Sequence, residues 1–370
     1  MTHSDEYLQM SGIQHFAFCR RQWALAYLEQ QWAENLRTAE GRLEHARCHD
    51  EAFREKRGGL LTVRGMRVVS RRLRLTGACD VVEFRADPVG VPLQGQPGLR
   101  GRFLARIAGE TRGNVLLRQQ QYRAADDPFA SCRYARGFLL GKVYNARWVL
   151  ERATRDHPQR VPVGRLKALS GQLAAALPRI QDAMTAEELR GIEGEAAQRY
   201  FDGFDSLILQ QRETFAFSGR SRRPPLDPVN ALLSFAYTLL ARECAAALEG
   251  VGLDPYVGFL HRPRPGRTSL ALDLMEELRP VCADRFVLSC INQKQLTAKH
   301  CQRQESGAVL LTDEGRRAFL TAWQQRRQQT IQHPFLGEKI PWGLVPHVQA
   351  LLLARTLRGD LDCYPPFFWK

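Results

Sequence analysis

From about residue 114 to the C-terminus, apolar residues recur at intervals of three and four, with no comparable stretch of strict alternation. A chain patterned this way buries stripes of helix against one another, so this part reads as mainly α. LRQQQYRAA, RYARGFLLGKVYNARWVLERATRD and LKALSGQLAAALPRIQDAM each keep the helical period. In RSRRPPLDPVNALLSFAYTLLARECAAALE the helix start is explicit: Asp227 caps, Pro228 takes the first helical position, and the apolar face follows. FLTAWQQRRQQT through LVPHVQALLLARTLRG predicts two more helices before the aromatic tail YPPFFWK.

The first hundred residues read differently. Phe16, Trp23, Tyr27 and Trp32 recur at near-helical spacing, and Thr38 starts a second expected helix through Leu43, so residues 1–57 read as helical. VRGMRVVSRRLRLTGACDVVEFR, residues 63–85, then alternates as strands do. DPVGVPLQGQPGLRG, residues 87–101, is rich in Pro and Gly and is the candidate boundary. RFLARIAG after it reads as one short strand.

Composition narrows the class. No apolar run approaches the roughly 20 residues of a bilayer span, and MTHSDEYLQM lacks a basic segment leading into an apolar one, so the expected location is cytoplasmic with no membrane partner. Nine cysteines are scattered without a C-x-x-C pair, which argues against a zinc ribbon or disulfide scaffold and for reduced, mostly buried thiols. The formal net charge of +14 is concentrated: residues 100–179 carry 16 Lys or Arg against 5 Asp or Glu, leaving 37 against 34 elsewhere. A localised basic field of this kind gathers polyanions, nucleic acid first among them; an ordinary arginine-rich surface is the plain alternative.

Asp273, Glu276 and Glu277 lie three and four residues apart in a segment of helical pattern, which puts their carboxylates on neighbouring positions of one helix. Their mutual repulsion is relieved by a divalent cation. His261 precedes that helix across the Pro/Gly loop RPRPGRTS, and Glu193 stands in the glycine-flanked step GIEG. Oxygen ligands with a single imidazole suit Mg²⁺ or Mn²⁺ rather than Zn²⁺. Such a metal among arginines suits phosphodiester chemistry. Taken one at a time, the same residues also accept plain structural roles: Glu193 as a cap or an arginine partner, His261 as a loop histidine, DLMEEL as a solvated face.

Together, RGIEGEAAQRYF, RSRRPPLDPVNALLSFAYTLL, GLDPYVGFLH, RPGRTSLALDLMEELRP and RGDLDCYPPFFWK resemble the CRISPR-associated adaptation integrase, a metal-dependent endonuclease that inserts new spacers. The resemblance runs from about Gly101 to Lys370. It implies Glu193, His261 and Asp273 as catalytic metal ligands, with Glu276 at a second acidic position. It further implies an all-helical catalytic domain preceded by a small β domain, a homodimer, and assembly with a small second adaptation protein. The implied reaction is transesterification, in which a 3′ hydroxyl of incoming double-stranded DNA attacks a phosphodiester at the edge of the CRISPR repeat.

Residues 8–95, including SGIQHFAFCRRQWALAYLEQQWAENLRTAEGRLEHARCHDE and LTGACDVVEF, are similar to the start of the CRISPR-associated RecB-like exonuclease, an iron–sulfur protein. Cys19 falls at its first 4Fe–4S cluster ligand, and His45 and Asp80 at its nuclease metal ligands. The later E-x-K motif, the Gln motif and the closing cysteine trio of that family are absent. The expected organisation is therefore a partial, truncated α/β RecB-nuclease-like segment at 1–97, then an integrase-like domain at 98–370 that keeps only a remnant of its β domain. A metal-dependent DNA integrase is the function this implies. A catalytically impaired DNA-binding remnant of an exonuclease–integrase fusion and an active RecB-like exonuclease are the alternatives.

Overall fold

The computed structural model describes residues 114–370 apart from 222 and 223, together with the backbone of five strands within the first 113 residues. The chain divides into two compact units, Met1–Thr111 and Arg112–Lys370.

In the first unit, β2 (Arg54–Arg57), β3 (Leu60–Ser70) and β4 (Leu75–Arg85) form an antiparallel meander. The alternating 63–85 stretch is thus a hairpin, paired from Leu60 with Arg85 through Ser70 with Leu75. The other edge of β4 receives β1 (Leu8–Gln9) in parallel at Leu75 and Thr76, and β5 (Arg106–Ile107) antiparallel at Val82 and Glu83. RFLARIAG supplies β5, as expected. The all-helical reading of residues 1–57 fails at both ends, where Leu8–Gln9 and Arg54–Arg57 are strands. The helices expected around Trp23 and from Thr38 lie outside the described residues, as do Cys19 and His45; of Asp80 only the strand backbone is described.

The second unit is helical, and its helix starts are written in the sequence. Asp127 accepts from the Phe129 amide ahead of α2 (Pro128–Asp156), Thr185 and Glu188 form a capping box on α4 (Ala186–Phe204), and Asp227 caps α5 (Pro228–Gly250). α1 (Val115–Asp126) and α3 (Val163–Asp182) complete the first half. α6 (Ser269–Leu278) runs through a π-helical stretch, Arg279–Asp284, into α7 (Arg285–Asn292). The widened turn contains Pro280, which has no amide hydrogen to give to the helical ladder. α8 (Asp313–Gln328) and α9 (Val345–Arg358) follow, the latter ended by Gly359 at φ 84°. Two small hairpins interrupt the helical expectation: β6 (Cys301–Arg303) with β7 (Val309–Leu311), and β8 (Thr330–Gln332) with β9 (Lys339–Pro341).

α2 is the axis of this unit. α3, α4 and α6 pack along it, while α5 and α9 close over the outer side of α6. Phe138, Leu139 and Leu150 of α2 are fully buried, each burial stabilising by about 1.5–3 kcal/mol. α5 corrects the expectation that no run is apolar enough to span a bilayer: its 23 residues include a window of mean hydropathy 1.4. Here it is a core helix, with Val229, Leu232, Leu233, Ala236 and Leu240 buried. The C-terminal tail is built in rather than trailing. Asn145 of α2 donates to the carbonyls of Glu277 and Phe367, both at 2.7 Å, and accepts from the Trp369 amide at 2.9 Å.

Candidate metal centre

The three carboxylates of α6 are not a solvated face. Asp273, Glu276 and Glu277 are 0, 3 and 0% exposed, and each turns to a different neighbour.

Asp273 faces the loop before the helix. Its Oδ2 accepts from the amides of Phe259 at 2.6 Å and Leu260 at 2.9 Å, and its Oδ1 from the His261 amide at 3.0 Å. The same Oδ1 lies 2.6 Å from His261 Nδ1. A carboxylate has about four acceptor positions, and these contacts use them all. The loop reaches this close because residue 258 is Gly: a Cβ there would stand 2.7 Å from Asp273 Oδ2 and 2.8 Å from the Ser269 carbonyl carbon. With Nδ1 held on Asp273, the other ring nitrogen of His261, Nε2, lies 3.9 Å from Glu276 Oε1.

Glu276 faces cations. Arg279 holds Oε1 at 3.0 Å, and the Lys142 ammonium stands 2.7 Å from Oε2 as an ion pair rather than a well-aligned hydrogen bond. Burial would raise this carboxyl, but Arg279, Lys142 and His261 outweigh it and hold it down at about 2. Glu193 comes from α4 and pairs with the same ammonium. Gly191 and Gly194 beside it leave open space, since a Cβ on either would meet nothing within 4 Å. α4 is tied to the His261 loop by Arg190, which donates to the Leu260 carbonyl at 2.9 Å.

Glu277 turns to the tail. Tyr364 donates to Oε1, Gln349 donates to it at 2.9 Å, and the Phe367 amide donates to Oε2 at 2.7 Å. Burial pushes its carboxyl up to about 7 against these donors.

Glu193, His261, Asp273 and Glu276 therefore belong to one connected polar cluster drawn from α2, α4, α6 and the 258–261 loop. Among the described residues, no three His, Cys, Asp or Glu side chains are disposed around a common point as ligands of one ion. Two physical reasons account for this: Asp273 spends its oxygens on the loop, and Lys142 spans Glu193 and Glu276. The donor set of Glu193, Glu276 and His261 Nε2, two carboxylates and one imidazole nitrogen, fits a hard divalent cation, and its carboxylates already grip a positive charge in the form of the ammonium.

A cavity borders the cluster, with Lys142, Glu193, Tyr200, Tyr237, Arg279 and Asp284 in its wall. Tyr237 donates to Asp284 at 2.5 Å, and its ring lies under the Arg220 and Arg279 guanidinium groups at 5.2 and 5.1 Å. Burial pushes the Asp284 carboxyl up to about 6, against the two tyrosines and two arginines that lower it. The described part of the basic segment, from residue 114, forms α1 to α3, with Arg123, Arg133, Arg155, Arg165, Lys167 and Arg179 exposed.

Sequence reasoning missed Lys142 and Arg279. A signal for the first existed: Phe138, Lys142, Asn145 and Val149 share one α2 stripe, on which a lysine among buried residues is anomalous. The described cysteines are free, and burial raises the thiols of Cys132, Cys244, Cys282, Cys290 and Cys301. Dispersed thiols of this kind do not fit the four thiolates of an iron–sulfur cluster.

The family model described as CRISPR associated protein Cas1 matches residues 98–325. The chain is similar to CRISPR-associated endonuclease Cas1 2 of Rhodospirillum rubrum, with 57% identity over 274 residues that cover 73% of this chain and 79% of the relative. It is also similar to a CRISPR-associated exonuclease Cas4/endonuclease Cas1 fusion of Geobacter sulfurreducens, with 39% identity over 272 residues, 72% of this chain but 48% of the fusion. Among solved structures, a casposase bound to its integration product superposes with a TM-score of 0.60 at 25% identity, covering 72% of this chain and 76% of the other.

Proposed function

This chain belongs to the CRISPR-associated Cas1 family of endonucleases, and from that premise we propose that it is a metal-dependent DNA integrase of CRISPR adaptation whose centre is formed by Glu193, His261 and Glu276. Asp273, which the motif resemblance puts among the ligands, acts in this reading from behind His261. The observation that carries the reading is the convergence of Glu193 and Glu276, 83 positions apart, on one cation, with His261 Nε2 alongside.

When bound, Mg²⁺ or Mn²⁺ supplies polarisation of the scissile phosphate and neutralisation of charge on the leaving oxygen. The chain's own residues do the rest. Asp273 fixes the direction of the His261 ring through Nδ1 and turns Nε2 toward Glu276. Arg279, anchored on Glu276 and stacked on Tyr237, keeps a fixed positive charge at the edge of the cluster, where phosphate oxygens gain negative charge. The open helix surface at Gly191 and Gly194 lets a DNA backbone approach Glu193 without meeting side chains. The exposed arginines and lysine of α1 to α3 hold the duplex through its phosphates, and that binding weakens with salt.

In the same reading the substrate is a double-stranded DNA fragment and the repeat, and the step is attack of a 3′ hydroxyl on a repeat phosphodiester. The working unit is a homodimer with a small second adaptation protein, in the cytoplasm. No step is assigned to the RecB-like segment or to an iron–sulfur cluster. The test is integration of a labelled duplex into a repeat-bearing plasmid. Glu193→Ala, His261→Ala and Glu276→Ala each abolish product while duplex binding at low salt persists; activity equal to wild type in any of them removes that residue from the centre. Asp273→Asn retains activity reduced by about 10–100-fold, the size expected of a partner that orients a ligand.

A further inference from the structure

Lys142 sits on an α2 face that otherwise packs into the core, with Phe138, Val143 and Ala146 buried around it, and its own side chain is 12% exposed. Its ammonium touches Glu193 on one side and Glu276 on the other, and Glu276 is almost wholly buried. Resting on the metal-centre reading above, we propose that Lys142 is the resident counter-cation of that centre: it holds Glu193 and Glu276 together without metal and is exchanged when a divalent cation enters, so that it sets the site's metal affinity.

Three features of the structure support an exchange rather than a permanent ion pair. Two carboxylates cannot stay ionised and close together with little water unless a cation lies between them, and Lys142 is the group that touches both. Lysine carries a compact charge on a flexible four-carbon stem, which leaves its partners without breaking a planar fork. Arg279 is the contrasting case: its planar guanidinium is stacked on Tyr237 and ion-paired with Glu276, and it stays. Lys142 also lines the neighbouring cavity, whose wall includes the Asp284 carboxylate, so a displaced ammonium has both room and an acceptor.

The experiment uses the full chain stripped by chelator and titrated with Mn²⁺, free metal being followed by its paramagnetic resonance signal. Thermal unfolding with and without Mn²⁺ runs alongside, and far-UV circular dichroism checks each variant's fold. Lys142→Met and the length-preserving Lys142→Gln are expected to bind Mn²⁺ at least tenfold more tightly than wild type. Their metal-free melting temperatures fall, and Mn²⁺ raises them by more than it raises wild type. Lys142→Arg, which keeps the charge, shows no gain in affinity. Affinity in Lys142→Met and Lys142→Gln equal to or weaker than wild type overturns the proposal. The control is Glu193→Ala: if its Mn²⁺ binding is lost while the Lys142 variants match wild type, the metal centre stands and only the counter-cation role fails. If wild type itself binds no Mn²⁺, the metal-centre reading fails and this one with it.

Discussion

Gly141 and the glycines flanking Glu193 are all helical, yet alanine at them has opposite consequences. In a helix interior, Gly to Ala gains up to about 1 kcal/mol. At Gly191 and Gly194 nothing within 4 Å meets the new methyl group, so that gain is realised. At Gly141 a Cβ would stand 2.6 Å from Glu277 Cβ, 2.9 Å from Glu277 Oε2 and 3.3 Å from Pro366 Cβ. Carbon contacts settle at about 3.5–4 Å, so α6 and the tail must retreat from α2 by about 1 Å. Overpacking of this kind costs about 1–3 kcal/mol, and the retreat also strains the three hydrogen bonds on Glu277, each worth about 1 kcal/mol. The net loss for Gly141→Ala is about 2 kcal/mol after the propensity gain, a fall of about 4–8 °C in melting temperature for a unit of this size. Gly191→Ala and Gly194→Ala each raise it by about 1–3 °C while weakening duplex DNA binding. Differential scanning calorimetry on the three variants reads the sign directly. A Gly141→Ala protein as stable as wild type would show that α2 and α6 are not in the close contact on which the position of Lys142 depends.

The buried Glu277 carboxyl gives a pH signature. Its folded value of about 7 lies above the ordinary 4.5, so folding favours the neutral form; that contribution is whole below about pH 4.5 and is lost as pH rises through 7. Wild type therefore loses about 3 kcal/mol between pH 5 and 8 relative to Glu277→Gln, and parallel denaturation curves for the two proteins across that window would contradict the assignment. Asn145→Ala leaves the Glu277 and Phe367 carbonyls and the Trp369 amide unpaired in the core, at a cost of about 2–4 kcal/mol by urea unfolding; a loss below about 1 kcal/mol would mean the tail is not anchored there. Gly258→Ala drives a methyl group into Asp273 and the start of α6, so Mn²⁺ affinity drops while the rest of the fold holds, as two-dimensional NMR would report; unaltered affinity would free His261 from its dependence on that loop.

The helical unit was legible where local chemistry is one-dimensional. Asp227 with Pro228 announced α5, and the three- and four-residue periods of α2 and α3 located those helices. What periodicity does not carry is where a charged side chain goes once its helix is packed. DLMEEL has the spacing of an exposed acidic face, and its three carboxylates are instead all buried, because the partners that make burial tolerable, Lys142, the 259–261 amides and the tail, come from 12 to more than 100 residues away. α5 shows the opposite case: its length and composition would suit a bilayer, but it is a helix with neighbours on several sides. The two hairpins at 301–311 and 330–341 were missed because three-residue strands are too short for alternation to register.

A single helix thus divides its acids by partner. Asp273 meets only neutral amides and an imidazole, and its role is to hold a loop. Glu277 meets neutral donors in a closed site, where burial outweighs them and raises its carboxyl to about 7. Glu276 alone meets two full cations, and they outweigh the same burial and keep it ionised at about 2. Glu276 and Glu277, adjacent and equally buried, are therefore shifted in opposite directions for a reason outside the helix, and the one held down is the one that faces Glu193 across Lys142. In the proposed centre it is Glu276 that is left to meet a metal, because Asp273 and Glu277 are occupied in fixing the two surfaces, loop and tail, between which it is presented.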